Sequence, residues 1–297
     1  MATELAYLDG AFVSLPEAKV SIEDRGLQFG DAIYEVIAAY DGRPFLAEQH
    51  LARLKRSAAA IDLEIDLDAP PLRPVITEGL RRSGLTDALI YLQITRGVAP
   101  RSHEIPEGIT PTVIMTFKPL PAISDERRRR GVRVTTLPDT RWAKCHIKAT
   151  TLLANVLAKS EALRRGYDDA VFVTEEGQVR ECTAANIFVV QRSCITTPCR
   201  TESVLHGITQ SVIFDCTAAI GVDIAEQSIH VDALQHADEV FMSSTAVEVL
   251  AITSINDAPV GNGQVGLVTQ GIHREFQART RGSSPIPPQR SSTAANH

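Results

Sequence analysis

The chain has 297 residues, 44% of them hydrophobic and 22% charged, a size and balance that predict one large or two smaller α/β-type domains and exclude a disordered or fibrous chain. Thirty Lys and Arg against 36 Asp and Glu leave a net charge of −6, which excludes the broad basic surface that tracks nucleic-acid phosphates. No apolar stretch approaches the ~20 residues of a membrane-spanning helix, the first residues hold neither a basic flank nor an apolar signal core, and a cytoplasmic location is expected. Five cysteines without a Cys-x-x-Cys spacing predict reduced thiols and no structural metal.

Along the chain, residues 5–7 and 12–13 flank an Asp9-Gly10 turn, and residues 33–40 lead into a second turn at Asp41-Gly42 and then Phe45. Those are hairpin signals. From Ala47 the period becomes helical, with Leu51, Leu54, Ala58 and Ile61 on one face, and a second helix is predicted over residues 72–82. Residues 88–95 and 112–117 predict strands. The Pro- and Gly-bearing loop between them, residues 97–111, is the kind of segment that carries function. Pro119, Pro121 and the charged residues up to Arg130 break the pattern, so a domain boundary is expected at about residue 120.

The second half predicts a strand over residues 132–137, a helix over 152–165, strands over 170–174 and 185–190, and a helix over 208–220. Strands are expected at 222–229, 240–243 and 247–255, then a last helix running through Ile272. The Ser- and Pro-rich tail from Arg281 has the composition of a disordered end. The expected division is therefore 1–120, 121–280 and a tail of 281–297.

A Gly-x-Gly-x-x-Gly pattern stands at Gly261-Asn-Gly-Gln-Val-Gly266. A dinucleotide-binding turn of that spacing needs a strand before it, a helix and second strand after it, and an acid ~20 residues on. Only a Pro-rich tail follows here, so a loop turn is the preferred reading and a nucleotide-binding module a distant alternative. Lysine is scarce, six in all, and five of them read as surface positions. Lys148 differs because it ends the alternating stretch Trp142-Ala-Lys-Cys-His-Ile-Lys148, directly before an apolar helix. Such an edge can point an amine into a cleft, where it can form a Schiff base with an aldehyde; on spacing alone a solvated lysine is the commoner outcome. Glu181, before small residues and an apolar strand, reads more readily as a surface hairpin acid. Gly207-Ile208-Thr209 opens a helix whose N–H groups form either an anion site or an ordinary capped start.

Taken together, a series of motifs in order resembles the class-IV aminotransferases, the fold-type IV pyridoxal-phosphate enzymes, and within them the bacterial D-amino acid (D-alanine) aminotransferases. The series runs through Asp24-Arg-Gly-Leu-Gln-Phe-Gly-Asp-Ala-Ile-Tyr-Glu-Val36, His50-Leu-Ala-Arg53, Thr95-Arg-Gly-Val-Ala-Pro-Arg101-Ser-His103 and Arg141 to Lys148. It continues with Leu152 to Lys159, Glu181-Cys-Thr-Ala-Ala-Asn-Ile-Phe188, Leu205-His-Gly-Ile-Thr209 and Ser243-Ser-Thr-Ala-Val-Glu248. The resemblance covers nearly the whole chain. It implies an α/β fold with a smaller N-terminal α/β domain and a larger C-terminal pseudo-barrel domain, and pyridoxal 5′-phosphate (PLP) as cofactor.

By that resemblance Lys148 holds the cofactor and shuttles the substrate's proton, and Glu181 pairs with the pyridine nitrogen so that the ring acts as an electron sink. Arg53, the Ile208 and Thr209 amides after Gly207, and Thr245 beside Ser244 would form the phosphate cup. Leu205 would pack on the ring face. Tyr34, Arg101 and His103 match the carboxylate trap of the D-amino acid branch, in which the Arg and His come from the neighbouring subunit of a homodimer. The implied reaction passes an amino group from a D-amino acid to a 2-oxo acid such as 2-oxoglutarate. On the same fold the alternatives are an aminodeoxychorismate-type lyase, which has no need of the Arg101-x-His103 trap, and a branched-chain L-amino acid or (R)-amine transaminase with a different pocket.

Three positions depart from the pattern: Leu27 stands for Tyr, Cys182 for Gly and Gln210 for a basic residue. The first two are expected to reshape the side-chain pocket and the third to loosen cofactor retention.

Overall fold

Residues 4–68 and 71–282 of the computed structural model build two β-sheets with helices packed on them. The first sheet begins with β1 (Leu5–Leu8) and β2 (Ala11–Ser14). After the short helix α1 (Arg25–Phe29) come β3 (Ala32–Tyr40), β4 (Arg43–Pro44), α2 (Ala47–Ala59), α3 (Leu72–Ser83), β5 (Ala88–Thr95) and β6 (Thr112–Pro119). Its six strands run β2-β1-β6-β5-β3-β4, every neighbour antiparallel. The two Asp-Gly pairs make its tight turns: Asp9 and Gly10, and Asp41 and Gly42, all have positive φ, as hairpins of matching twist demand.

β3 shows how the strand period sorts its residues. Ile33, Glu35 and Ile37 face α2, whereas Tyr34 and Val36 face the other way, into a cavity. Leu51 and Leu54 of α2 and Leu72, Ile76 and Leu80 of α3 pack on Ile33, Ile37, Ile90 and Leu92. Each such fully buried side chain contributes about 1.5–3 kcal/mol.

The second sheet follows α4 (Asp125–Arg130). It comprises β7 (Val132–Pro138), then, after α5 (Leu153–Arg164), β8 (Asp169–Val173), β9 (Val179–Cys182), β10 (Asn186–Gln191) and β11 (Cys194–Thr197). Beyond α6 (Ile208–Ala219) lie β12 (Asp223–Glu226), α7 (Asp232–Gln235), β13 (Glu239–Ser244), β14 (Glu248–Ile255), β15 (Ala258–Pro259) and α8 (Leu267–Arg281). Eight strands run β12-β11-β10-β13-β14-β7-β8-β9, with β15 on β14. The pairs β11–β12, β14–β7 and β7–β8 are parallel and the others antiparallel. Both faces are buried: Phe188, Val190 and Phe241 meet Ile213, Ile272 and Phe276 of α6 and α8, while Ile187, Val189, Val240 and Met242 form a core on the opposite face. The α/β expectation holds, and the change of sheet falls between Pro119 and Val132.

Several local expectations fail. The alternating stretch 142–148, to which the sequence assigns no element, folds as turns and bends whose end is held by β3 and α2. The strand expected over 222–229 is the four-residue edge strand β12, and its partner β11, like α1 and β9, has no clear sequence signal. The last helix runs on past Ile272 and includes Arg281; the expected tail otherwise lies outside the described residues, from residue 283 on. The glycine pattern at Gly261 to Gly266 is the loop between β15 and α8. The N-terminus of α8 is already filled: the Glu239 carboxylate accepts from the Val268 and Thr269 amides at 2.9 and 2.8 Å and from the Thr269 hydroxyl at 2.6 Å. An internal anion sits where a nucleotide phosphate would have to bind. Among the described residues, no helix is long and apolar enough to cross a membrane.

Candidate active site

A cavity of about 310 Å³ lies where β3 and α2 of the first sheet meet β9, β13 and the start of α6 in the second, at the small end of the ~300–1,000 Å³ common for small-molecule sites. Tyr34, Arg53, Lys148, Glu181, Leu205, Gly207, Ile208, Thr209, Ser244 and Thr245 all line it. Positions named from sequence in widely separated segments of the chain thus converge on one space.

Lys148 is stapled from both sides. Its N–H donates to Ser57 Oγ of α2 at 3.1 Å, its carbonyl accepts from the Tyr34 N–H at 2.9 Å, and the next residue bridges to Ile33. The side chain carries Nζ to 4.0 Å from the Tyr34 ring centroid, within cation–π range. Among the described lysines it alone lines the cavity.

Arg53, 5% exposed, is oriented by Glu35, which is wholly buried. Nε and Nη2 donate to the two Glu35 oxygens at 2.7 and 2.8 Å, and Nη1 donates to the His206 carbonyl at 2.9 Å. His50 Nδ1 meets Glu35 Oε2 at 2.7 Å. Burial acts to raise the Glu35 carboxyl, but the Arg53 charge and hydrogen bonds outweigh it and hold the group at about 2. His50 is pushed down, first by burial and against the pull of Glu35. The pair fixes the guanidinium beside the start of α6, where Ile208 and Thr209 line the wall.

Glu181 is buried on β9, not on a surface hairpin. Its Oε1 accepts from Arg141 Nη1, and Oε2 accepts from the Leu205 N–H at 3.1 Å and, weakly, from Asn186 Nδ2 at 3.5 Å. Burial raises its pKa, opposed mainly by Arg141. Arg141 in turn donates to both Asp139 oxygens at 2.9 Å, a bidentate clamp. Cys145 and Cys182 also line the cavity, and burial pushes both thiols up, Cys145 to about 11; neither is a ready thiolate nucleophile at neutral pH.

Arg101 and His103 stand apart from the cavity. Both are exposed on the loop after β5 and gather on one aromatic ring of α1, with the Arg101 guanidinium 4.9 Å and the His103 ring 5.6 Å from the Phe29 centroid. The loop is tied down by Arg25, which donates to the Ser102 carbonyl at 2.6 Å. Of the departures, Cys182 is a cavity wall, whereas Leu27 is exposed on α1 and away from it. Gln210 does not line the cavity: it is buried, its Oε1 accepting from the Gly207 N–H at 3.3 Å and its Nε2 donating to Thr197 Oγ1 at 3.3 Å.

Sequence reasoning assigned no role to Glu35, His50, Arg141, Asn186 or Ser243. A buried acid between apolar β3 residues was the one available signal. Ser243 is one of the lining residues, and its Oγ is buried without a hydrogen-bond partner among the described residues. The donor set fits PLP: an amine for its aldehyde, a fixed guanidinium with a helix N-terminus and hydroxyls for a dianion, and a clamped carboxylate for a ring nitrogen. Gly207 belongs to that fit, since a Cβ there would collide with the Asn186 amide.

Residues 32–255 match the family described as Amino-transferase class IV. The chain is 35% identical over 269 residues to a Bacillus licheniformis protein named D-alanine aminotransferase, covering 91% of this chain and 94% of that one. A Staphylococcus haemolyticus protein of the same name is 37% identical, covering 91% and 95%. Among solved structures, the branched-chain amino acid aminotransferase of Escherichia coli superimposes with a TM-score of 0.85 at 29% identity, covering 93% of each chain. That of Thermoproteus uzoniensis, solved with norvaline, gives a TM-score of 0.83 at 29% identity, covering 93% and 94% of the two chains. The chain belongs to the class-IV aminotransferases, and PLP is their cofactor.

Proposed function

We propose that this aminotransferase moves the amino group of a D-amino acid, of the D-alanine type, to a 2-oxo acid such as 2-oxoglutarate, releasing pyruvate and a D-amino acid such as D-glutamate. The observation that carries the reading is the single cavity in which one lysine stands among a guanidinium-backed helix N-terminus and a buried, clamped carboxylate. The D-alanine aminotransferases at 35% and 37% identity support the substrate class.

When bound, PLP supplies a ring that accepts the electrons of the carbanion formed at substrate Cα. Lys148 Nζ would hold the aldehyde carbon before the substrate amine replaces it, and would then carry the proton taken from Cα. Glu181, oriented by Arg141 and the Leu205 N–H, would keep the ring nitrogen protonated. Arg53, Thr209 and Thr245 would bind the phosphate, and Leu205 would cover a ring face.

The chain would work as a homodimer. Leu153, Val156 and Leu157 are exposed together on α5, next to Thr151, Leu152 and Asn155 of the cavity rim, and a second copy would cover them. Arg101 and His103 of one copy would then complete the carboxylate trap of the other with Tyr34, the guanidinium binding a carboxylate bidentately. The division into an N-terminal part up to about residue 120 and a cofactor-binding part beyond it fits this sharing. A cytoplasmic setting fits the five free thiols.

The test is the visible absorption band of the PLP-loaded protein. D-Alanine should bleach it and L-leucine should not, and Lys148→Ala should give a folded protein without turnover. Arg101→Ala should raise KM for D-alanine by about 10- to 100-fold, the loss of a charged hydrogen-bonded contact. A branched-chain L-amino acid transaminase is the second reading, favoured by the solved structures of that name; bleaching by L-leucine alone would establish it and overturn the first.

A further inference from the structure

The turn between β13 and β14 holds a backbone conformation that its residue does not favour. Ser244 pairs with Glu248 across the ladder, so Thr245, Ala246 and Val247 form a three-residue loop, and Glu248 closes it at a φ of 59°. Such loops end on a left-handed residue, where glycine fits without steric cost. Here the position carries a buried glutamate.

Its carboxylate accepts from Arg128 Nη2 of α4 at 2.6 Å and faces His273 Nε2 of α8 at 3.6 Å. It also adjoins the Tyr40 phenol of β3, whose ionisation is pushed up by burial and then by the Glu248 charge. Burial acts to raise the Glu248 carboxyl as well, yet His273, Arg128 and Tyr40 together hold it below its ordinary value. One side chain at the foot of the loop is therefore hydrogen-bonded to α4 and adjoins two further elements, one of them in the other sheet. Glu248 itself does not line the cavity, but Ser243, Ser244, Thr245 and Ala246 do.

We propose that Glu248 is a positioning residue for the cofactor's phosphate: hydrogen-bonded to Arg128 and set beside His273 and Tyr40, it holds the foot of the loop so that Ser244 and Thr245 stay at the cavity wall. The inference rests on the PLP reading above. A left-handed non-glycine residue persists only where its surroundings over-determine it, and here burial and the hydrogen-bonded ion pair with Arg128 hold it. A glycine would relax the backbone and release the loop in one step.

The experiment titrates PLP and, separately, pyridoxal into cofactor-free wild type, Glu248→Gly and Glu248→Gln, reading protein fluorescence. Glu248→Gly should weaken PLP by about 10-fold or more and pyridoxal, which lacks the phosphate, by less than about twofold, a difference of about 1 kcal/mol or more at the phosphate. Glu248→Gln keeps an acceptor for Arg128 and should fall between. PLP affinity unchanged in both variants overturns the proposal, as does equal weakening of PLP and pyridoxal. Should Glu248→Gly not fold, Tyr40→Phe beside Glu248→Gln makes the same comparison. A wild type that takes up no PLP overturns the proposed function instead.

Discussion

Two long helices of the second sheet, α6 and α8, each start on a glycine without a side-chain cap of its own, yet their ends have opposite characters. Every helix start leaves N–H groups unpaired and a positive end of the dipole. At α8 the Glu239 carboxylate fills that end from the neighbouring strand. At α6 no carboxylate arrives; Gln210 takes only the Gly207 N–H, and the following residues open onto the cavity beside Arg53. The glycine-rich motif belongs to the closed end and the open end has none. A helix terminus becomes receptive to an anion when the fold withholds an internal acid and brings a cation instead, which no local pattern encodes.

Replacing the cation tests this contrast most severely. Arg53→Gln leaves the Glu35 carboxylate buried with only His50, and breaking a buried pair in this way should cost about 3–5 kcal/mol, read by denaturant unfolding, together with PLP affinity. Near wild-type stability and PLP affinity would mean that the α6 end suffices alone and the contrast is wrong.

The same ion pair makes the open end sensitive to pH. Glu35 titrates at about 2 in the fold against about 4.3 in an unfolded chain, so its contribution is present above the unfolded value and lost as pH falls toward 2. It amounts to about 3 kcal/mol. His50 is lowered too, so its share has the same sign and is lost as pH falls below about 6.5. Unfolding free energies at pH 7, 5 and 3 should fall steeply for wild type and more gently for Glu35→Gln; parallel curves would remove Glu35 from the account.

Adding a methyl group at each helix start sharpens the comparison further. Gly207→Ala collides with the Asn186 amide, and Gly266→Ala with the Glu239 carboxylate; overpacking of this kind costs about 1–3 kcal/mol. The first should weaken PLP and the second should lower thermal stability alone. The smallest effect is expected from Glu239→Gln, about 1 kcal/mol of lost capping at α8 with PLP affinity unchanged in a fluorescence titration.

Much of the architecture could be read from local patterns, whereas the candidate site residues came from the motif series, since spacing alone left Lys148 in solvent and Glu181 on the surface. The helical period of α2 placed Leu51 and Leu54 on the core. The Asp-Gly pairs placed two turns, because positive φ at both residues is a local demand. The alternation at 142–148 forms no strand; contacts to β3 and α2 hold Lys148 and its neighbour. β11 escaped notice, and β12 was expected too long, because four-residue strands carry too few residues to set a period. Gln210 looked like a missing charge at the cofactor, but it is turned into the protein to cap α6.

By itself, then, the sequence determined the elements long enough to declare a period, the tight turns, and the residue types able to do this chemistry, because these depend on neighbours within a few positions. Only the tertiary structure decided that Glu35 would aim Arg53, that Arg141 would clamp Glu181, that Glu239 would close one helix end while the other stayed open, and that Glu248 would be forced into a left-handed turn. Each of those depends on residues from distant parts of the chain meeting out of water, where burial makes an ion pair or an unfilled N–H count for far more than it does at the surface.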